Sequence, residues 1–284
     1  MTKPTGPSVR RRQLGAMLRQ LRVDAGKSRK DAAEWIGVAE PTLSKIELGR
    51  QAIKQPHVRL LCQLYDLDAG TLDNLLRLAR ESEQRGWWAA YRDTVPDWFK
   101  QFVSLEADAV DIWEYENEFV PGQLQTAAYI AAISRAVRPH ADDSEVARSV
   151  ELRQERQTRL GAVSPPHLHL YISEAVVRHV VGSADAMREQ LEHLVDSSKL
   201  DYVTLRVVPF GAGAYAAMAG PFIMMQFPEE PRPAFSYVEN DRGGVYQEDP
   251  GDIERYTLMV RQLDELALSE DETRELIKQV SKAL

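Results

Sequence analysis

Apolar residues recur at spacings of three and four from Leu14 to Leu21 (Leu14, Met17, Leu18, Leu21), which is the period of one helical face, with Arg19 and Arg22 off the stripe. Gly26 ends this predicted helix, and Ser28 stands where an N-cap belongs, opening a second helix through Ala32, Ala33 and Ile36. Gly37 breaks it. Glu40 to Glu47 reads as a short third helix, with Pro41 in its first turn and Gly49 beyond its end. Two more amphipathic segments, Pro56–Leu67 and Thr71–Ser82, supply Val58, Leu61, Leu64, Leu72, Leu75, Leu76 and Ala79 to the same core.

The spacing around Gly37 predicts a steep helix crossing. Two helices joined by a tight turn need a small residue at their contact, and Ala33 supplies it. Gly37 can take the positive φ of the turn, while Val38, Leu43 and Ile46 point inward. Glu40, Thr42, Ser44 and Lys45 then face outward on the third helix, as short polar or charged side chains suited to base edges and phosphates.

Beyond residue 104 the pattern becomes mixed. Strands are predicted at Val110–Tyr115, Leu168–Ile172, Val203–Val208, Phe222–Phe227, Ala234–Glu239 and Gly244–Tyr246. Helices are predicted at Thr126–Ala136, Ser144–Leu160, Ser183–Asp196, Asp252–Ala267 and Ser269–Ala283, the last with Ser269 and Glu272 as a capping box. The expected fold class is multidomain: an all-α helix-turn-helix domain over residues 1–84, then a mixed α+β domain over 104–284. Between them, Gly86-Trp87-Trp88-Ala89-Ala90-Tyr91 and Val95-Pro96-Asp97-Trp98-Phe99 make residues 85–103 an aromatic hinge, favoured over a ligand-binding aromatic box or a base-stacking platform.

Charge sharpens this division. Residues 1–70 hold thirteen Lys and Arg against seven Asp and Glu, a balance of +6, so with a chain total of −8 the remainder carries −14. One module suits a polyanion and the other does something different. Arg10-Arg11-Arg12 reads either as an arm along DNA or as a solvated terminus. The single cysteine, Cys62, sits in an apolar helical run and reads as a buried structural thiol. No apolar run reaches the length of a membrane span and the first residues lack a secretion signal, so a soluble cytoplasmic protein is expected, with no membrane association.

The residues Leu18-Arg19-Gln20-Leu21-Arg22, Gly26-Lys27-Ser28, Ala32-Ala33, Gly37-Val38, Leu43-Ser44-Lys45-Ile46-Glu47 and Gly49-Arg50 resemble the lambda-repressor/Cro-like family, also called the xenobiotic-response-element (XRE) family, over residues 9–80. The resemblance implies a third helix in the major groove and a second crossing the backbone. It makes Glu40, Pro41, Thr42, Ser44 and Lys45 base-proximal, and Ser28, Arg29, Arg50 and Lys54 phosphate contacts. Glu40 and Pro41 depart from the commoner small polar pair, and Glu47 matches a structural glutamate.

The second half carries Val120-Pro121-Gly122-Gln123-Leu124-Gln125-Thr126 with Tyr129, Arg153-Gln154, Arg156-Gln157, Glu174-Ala175 and Gln190-Leu191. It resembles, over residues 100–280, the actinobacterial regulatory domain of unknown function found in WhiJ-type developmental regulators, with Gln123 where leucine is commoner. That implies transcription regulation in development or secondary metabolism, through double-stranded DNA, a homodimer and a small regulatory partner protein. The alternative is a regulator that responds to a small molecule bound in the second domain.

Catalytic chemistry is not expected, and neither is a cofactor. His167, His169, His179 and His193 lack the Cys or acidic companions of a metal set. Gly211-Ala212-Gly213-Ala214 lacks the lysine and hydroxyl of a phosphate loop, and no Gly-x-Ser-x-Gly elbow occurs. The arginines of the predicted helix 144–160 (Arg148, Arg153, Arg156, Arg159) read as a solvated, self-paired face, with a protein partner as the other possibility.

Overall fold

The computed structural model describes residues 9–49, 51–83, 99, 102–103, 105–106, 109–160, 165–227, 234–240, 243–247 and 249–284. The chain divides into two compact units, Met1–Leu105 and Glu106–Leu284. The proposed hinge lies largely outside the described residues, and of its aromatics Phe99 stacks on Phe102 at 5.6 Å.

The first unit is helical: α1 (Val9–Asp24), α2 (Arg29–Trp35), α3 (Glu40–Glu47), α4 (Gln55–Leu64) and α5 (Ala69–Glu83). Leu14, Leu18, Ala32, Ala33, Ile36, Leu43, Ile46, Val58, Leu61, Leu75 and Leu76 form its core, and Cys62 is buried there. The turn from α2 to α3 closes by a Schellman pattern. Val38 N–H donates to Ala33 O at 2.9 Å and Gly37 N–H to Glu34 O at 3.1 Å, with Gly37 at φ +70°. Helix α1 starts five residues before the predicted apolar stripe, so the backbone of Arg10-Arg11-Arg12 is helical rather than a free arm. The half-buried Arg11 donates to Ser82 O at 3.4 Å, tying α1 to the end of α5.

The second unit is α+β. Its strands are β1 (Asp111–Glu116), β2 (His167–Ser173), β3 (Val203–Val208), β4 (Phe222–Gln226), β5 (Ala234–Asn240) and β6 (Gly243–Gln247). They form a six-stranded sheet in the order β3-β2-β1-β4-β5-β6. The β3, β2 and β1 part is parallel, and β1-β4-β5-β6 is antiparallel. The parallel crossovers carry α6 (Ala127–Val137), α7 (Asp143–Leu160), the short α8 (Glu174–Arg178) and α9 (Ala184–Ser197). Helices α10 (Pro250–Leu266) and α11 (Glu270–Ala283) close the chain. Tyr115, Tyr171, Phe222 and Met224 pack with Tyr256, Met259, Val260 and Leu263 of α10 on one face of the sheet.

Caps place the helices where the side-chain chemistry asks. Thr126, Ser173, Ser183 and Ser269 accept from backbone N–H groups of the first turns of α6, α8, α9 and α11, and Ser269 with Glu272 completes the capping box. Among the described residues no helix is long and apolar enough to cross a membrane.

Candidate nucleic-acid interface

Helix α3 divides its residues sharply. Leu43, Ile46 and Glu47 are buried, Glu40, Pro41 and Lys45 are exposed, and Thr42 and Ser44 are half-buried. The inward pair fixes the rotation of the helix, so the five base-proximal candidates share the side left open. No side-chain cap holds its start; Ala39 is the N-cap and Pro41 sits in the first turn.

A charged clamp sets α3 against α1 and α2. Glu47 takes Arg22 Nε at 2.6 Å and Nη2 at 3.2 Å, and Arg22 Nη1 reaches Lys27 O at 2.9 Å. Arg22, off the apolar stripe, is thus buried against Glu47. Arg29 Nε donates to Glu47 Oε2, the oxygen it shares with Arg22 Nη2, at 3.3 Å, while its side chain keeps 38% of its surface. A guanidinium held by one nitrogen leaves further donors for an anion.

The remaining candidates stand apart from this clamp. Ser28 is exposed, but its hydroxyl is used in the capping box of α2, donating to Asp31 at 2.6 Å and accepting from Asp31 N at 3.1 Å. The Ser28 hydroxyl and the Ser28 N–H, which donates to the same carboxylate at 3.3 Å, hold the Asp31 carboxyl below the usual range. Lys54 is exposed at the N-cap of α4, and Arg50 lies outside the described residues. Lys30, exposed beside Arg29, was not singled out from the sequence, although two adjacent cations at a helix start were signal enough.

Sequence reasoning also passed over Gly15. A Cβ there would stand 2.8 Å from Glu47 O and 2.9 Å from Gly49 N, so α1 runs backbone to backbone against the end of α3. Glycine inside a helix is unfavourable by about 1 kcal/mol relative to alanine, and that cost was the available sign of a close approach.

In the second unit Arg148 of α7 is exposed, as a solvated face requires, but Arg153 and Arg156 turn inward. Arg156 is buried and grips Glu106 through Nε at 2.6 Å and Nη2 at 2.5 Å; Arg153 is half-buried and donates to Gln125 Oε1 at 2.5 Å. Gln123 is buried as well, its Nε2 donating to Glu114 at 2.7 Å and Glu106 at 3.3 Å. An i, i+3 charge pattern does not say whether its partners are on the same helix or across the core. His169 stacks on Trp113 at 4.9 Å and lies 3.3 Å from Asp111. Among the described residues no group of three or more His, Cys, Asp or Glu could hold a metal ion.

Residues 13–75 match the family described as Helix-turn-helix domain, and residues 99–279 match Domain of unknown function (DUF5753). Among solved structures the chain is similar to the clp gene regulator ClgR from C. glutamicum, at 27% identity over 28% of this chain and 97% of that one, with a TM-score of 0.22. No curated protein matches. The chain therefore belongs to the DUF5753 family and carries, ahead of that domain, a helix-turn-helix domain of the kind found in DNA-binding transcription regulators.

Proposed function

We propose that the chain is a sequence-specific transcription regulator that lays α3 in the major groove of double-stranded DNA and binds an inverted repeat as a homodimer. Glu40, Pro41, Thr42, Ser44 and Lys45 approach base edges, and Ser28, Arg29, Arg50 and Lys54 meet phosphates. The observation that carries this reading is the division of α3, with Leu43, Ile46 and Glu47 anchored inward and Glu40, Pro41 and Lys45 exposed, in a segment of balance +6. Selection of bound duplexes from a random pool by the full chain tests it. A palindromic consensus is expected, and retention of the pool without enrichment at physiological salt overturns it.

In this reading the second unit supplies the regulation. Its resemblance to WhiJ-type regulators supports a small partner protein and a cytoplasmic role in development or secondary metabolism; co-purification from cells tests the partner. A small-molecule signal is the second reading. It is favoured by one observation, a cluster of carboxylates and arginines that runs from buried to solvent-exposed beside α7.

A further inference from the structure

Four carboxylates and two guanidinium groups converge between α7 and the antiparallel part of the sheet. Glu114 and Glu116 alternate onto one face of β1, and the register aligns Glu114 with Ile223 of β4 and Tyr237 of β5. The next row holds Glu116 and Glu239, but β4 begins only at Phe222, so Pro221 stands between them. Two strand spacings put the two glutamate backbones about 10 Å apart across that gap. The partner of Glu239 on β6 is Gly244, and the Tyr237 ring occupies the space a Cβ would need there, its hydroxyl donating to Glu239 at 2.9 Å. Proline thus stands between the two glutamates, and the Tyr237 ring covers Gly244 on the far side of Glu239.

Exposure grades across the described residues of the cluster. Glu239 is exposed, Glu116 and Arg153 are half-buried, and Glu114, Gln123, Arg156 and Glu106 are buried. Arg156 is committed to Glu106, and Arg153 donates to Gln125. With Glu106, Glu114, Glu116 and Glu239 all ionised, these two arginines would leave two negative charges in excess among the described residues. Desolvation, with mutual repulsion added, raises Glu116 well above the ordinary carboxylate range, and partial desolvation raises Glu239 although the residue as a whole is exposed. Gln123 spends its amide nitrogen on Glu114 and Glu106, and its Oε1 is buried with no partner among the described residues. An orphaned acceptor beside surplus carboxylates asks for a donor that carries positive charge.

We propose that this cluster binds a small organic cation with a primary ammonium or guanidinium group, held between Glu116 and Glu239 and directed toward Gln123. The proposal rests on the reading of the second unit as the regulatory one, yet the site is tested separately from its effect on DNA. The probes are agmatine and putrescine, added to the full chain at pH 8 and constant ionic strength, with choline chloride as a cation that lacks N–H donors. Calorimetry is expected to give one site per chain for at least one probe, with a rise in Tm that choline does not produce. E239Q, at the exposed end of the cluster, and E116Q are each expected to weaken binding at least tenfold.

Equal responses to the probes and to choline, or unchanged probe affinity in both variants, would overturn the site. So would variants that gain stability at pH 8 without any probe effect, since protons alone would then balance the charge. Binding that leaves affinity for the selected duplex unchanged supports the site and removes its regulatory role.

Discussion

Arg22 and Glu47, 25 residues apart, form a two-pronged ion pair at 2.6 and 3.2 Å that fastens the end of α1 to the end of α3. Both are buried, so removing one partner strands the other. E47A is expected to destabilise the first unit by about 3 kcal/mol, read as faster hydrogen exchange across α1 to α3. The double variant R22M E47L replaces the pair with apolar volume and is expected to recover most of that loss. It should not recover DNA affinity, because Arg29 has lost the carboxylate that orients it. Recovery of both together would show that Glu47 acts on stability alone.

The Gly15 contact gives a steric counterpart. In G15A the new methyl meets the backbone of Glu47 and Gly49, which cannot swing aside as a side-chain tip would. Overpacking of this kind costs about 1–3 kcal/mol, although alanine is the better helix former. A lower Tm for G15A, with weaker DNA binding from a displaced α3, is the expected outcome. A higher Tm would show that helix propensity outweighs the contact.

Phosphate and base contacts separate by salt. R29A and K54A are each expected to weaken binding to all duplexes alike and to reduce the slope of log K against log salt by about one. T42A and S44A are expected to keep that slope and alter which base is preferred at one position, by about 1–3 kcal/mol of discrimination. Fluorescence anisotropy on the selected duplex and its single-base variants reads both. A change of preference in K54A with an unchanged slope would reverse the assignment.

The elements were more legible than their arrangement. The predicted strands at 203–208 and 222–227 coincide with β3 and β4 to within a residue, because short apolar runs containing β-branched or aromatic residues stand between turn formers. The inward Leu43 and Ile46 and the turn at Gly37 follow from local spacing in the same way. The strand order has no local signature: nothing near Phe222 says that β4 pairs antiparallel with β1 across more than a hundred residues. The Arg156–Glu106 pair was illegible for the same reason, being 50 residues apart. Its charges look identical, in sequence, to those of a solvated helix.

Glu114 gives the last prediction. It is buried, meets Gln123 at 2.7 Å, and desolvation pushes its carboxyl up to about 7, with the neighbouring Glu106 and Glu239 charges opposing ionisation and Arg156 favouring it. A carboxyl whose folded value lies above its unfolded one binds its proton more tightly when folded. Its contribution is therefore fully present below about pH 4.5 and is lost as the pH climbs through about 7. The capping carboxyls Asp31 and Glu272 act in the opposite sense: held below their ordinary values, they contribute above the unfolded range and fail as the pH falls. Stability of the second unit should accordingly fall between pH 5 and pH 8, by an amount on the order of 3 kcal/mol for this group. E114Q keeps the shape without the ionisation, and it should flatten that decline and exceed the parent protein in stability at pH 8. Denaturant titrations at both pH values measure it, and parallel declines in the two proteins would place the proton elsewhere in the cluster.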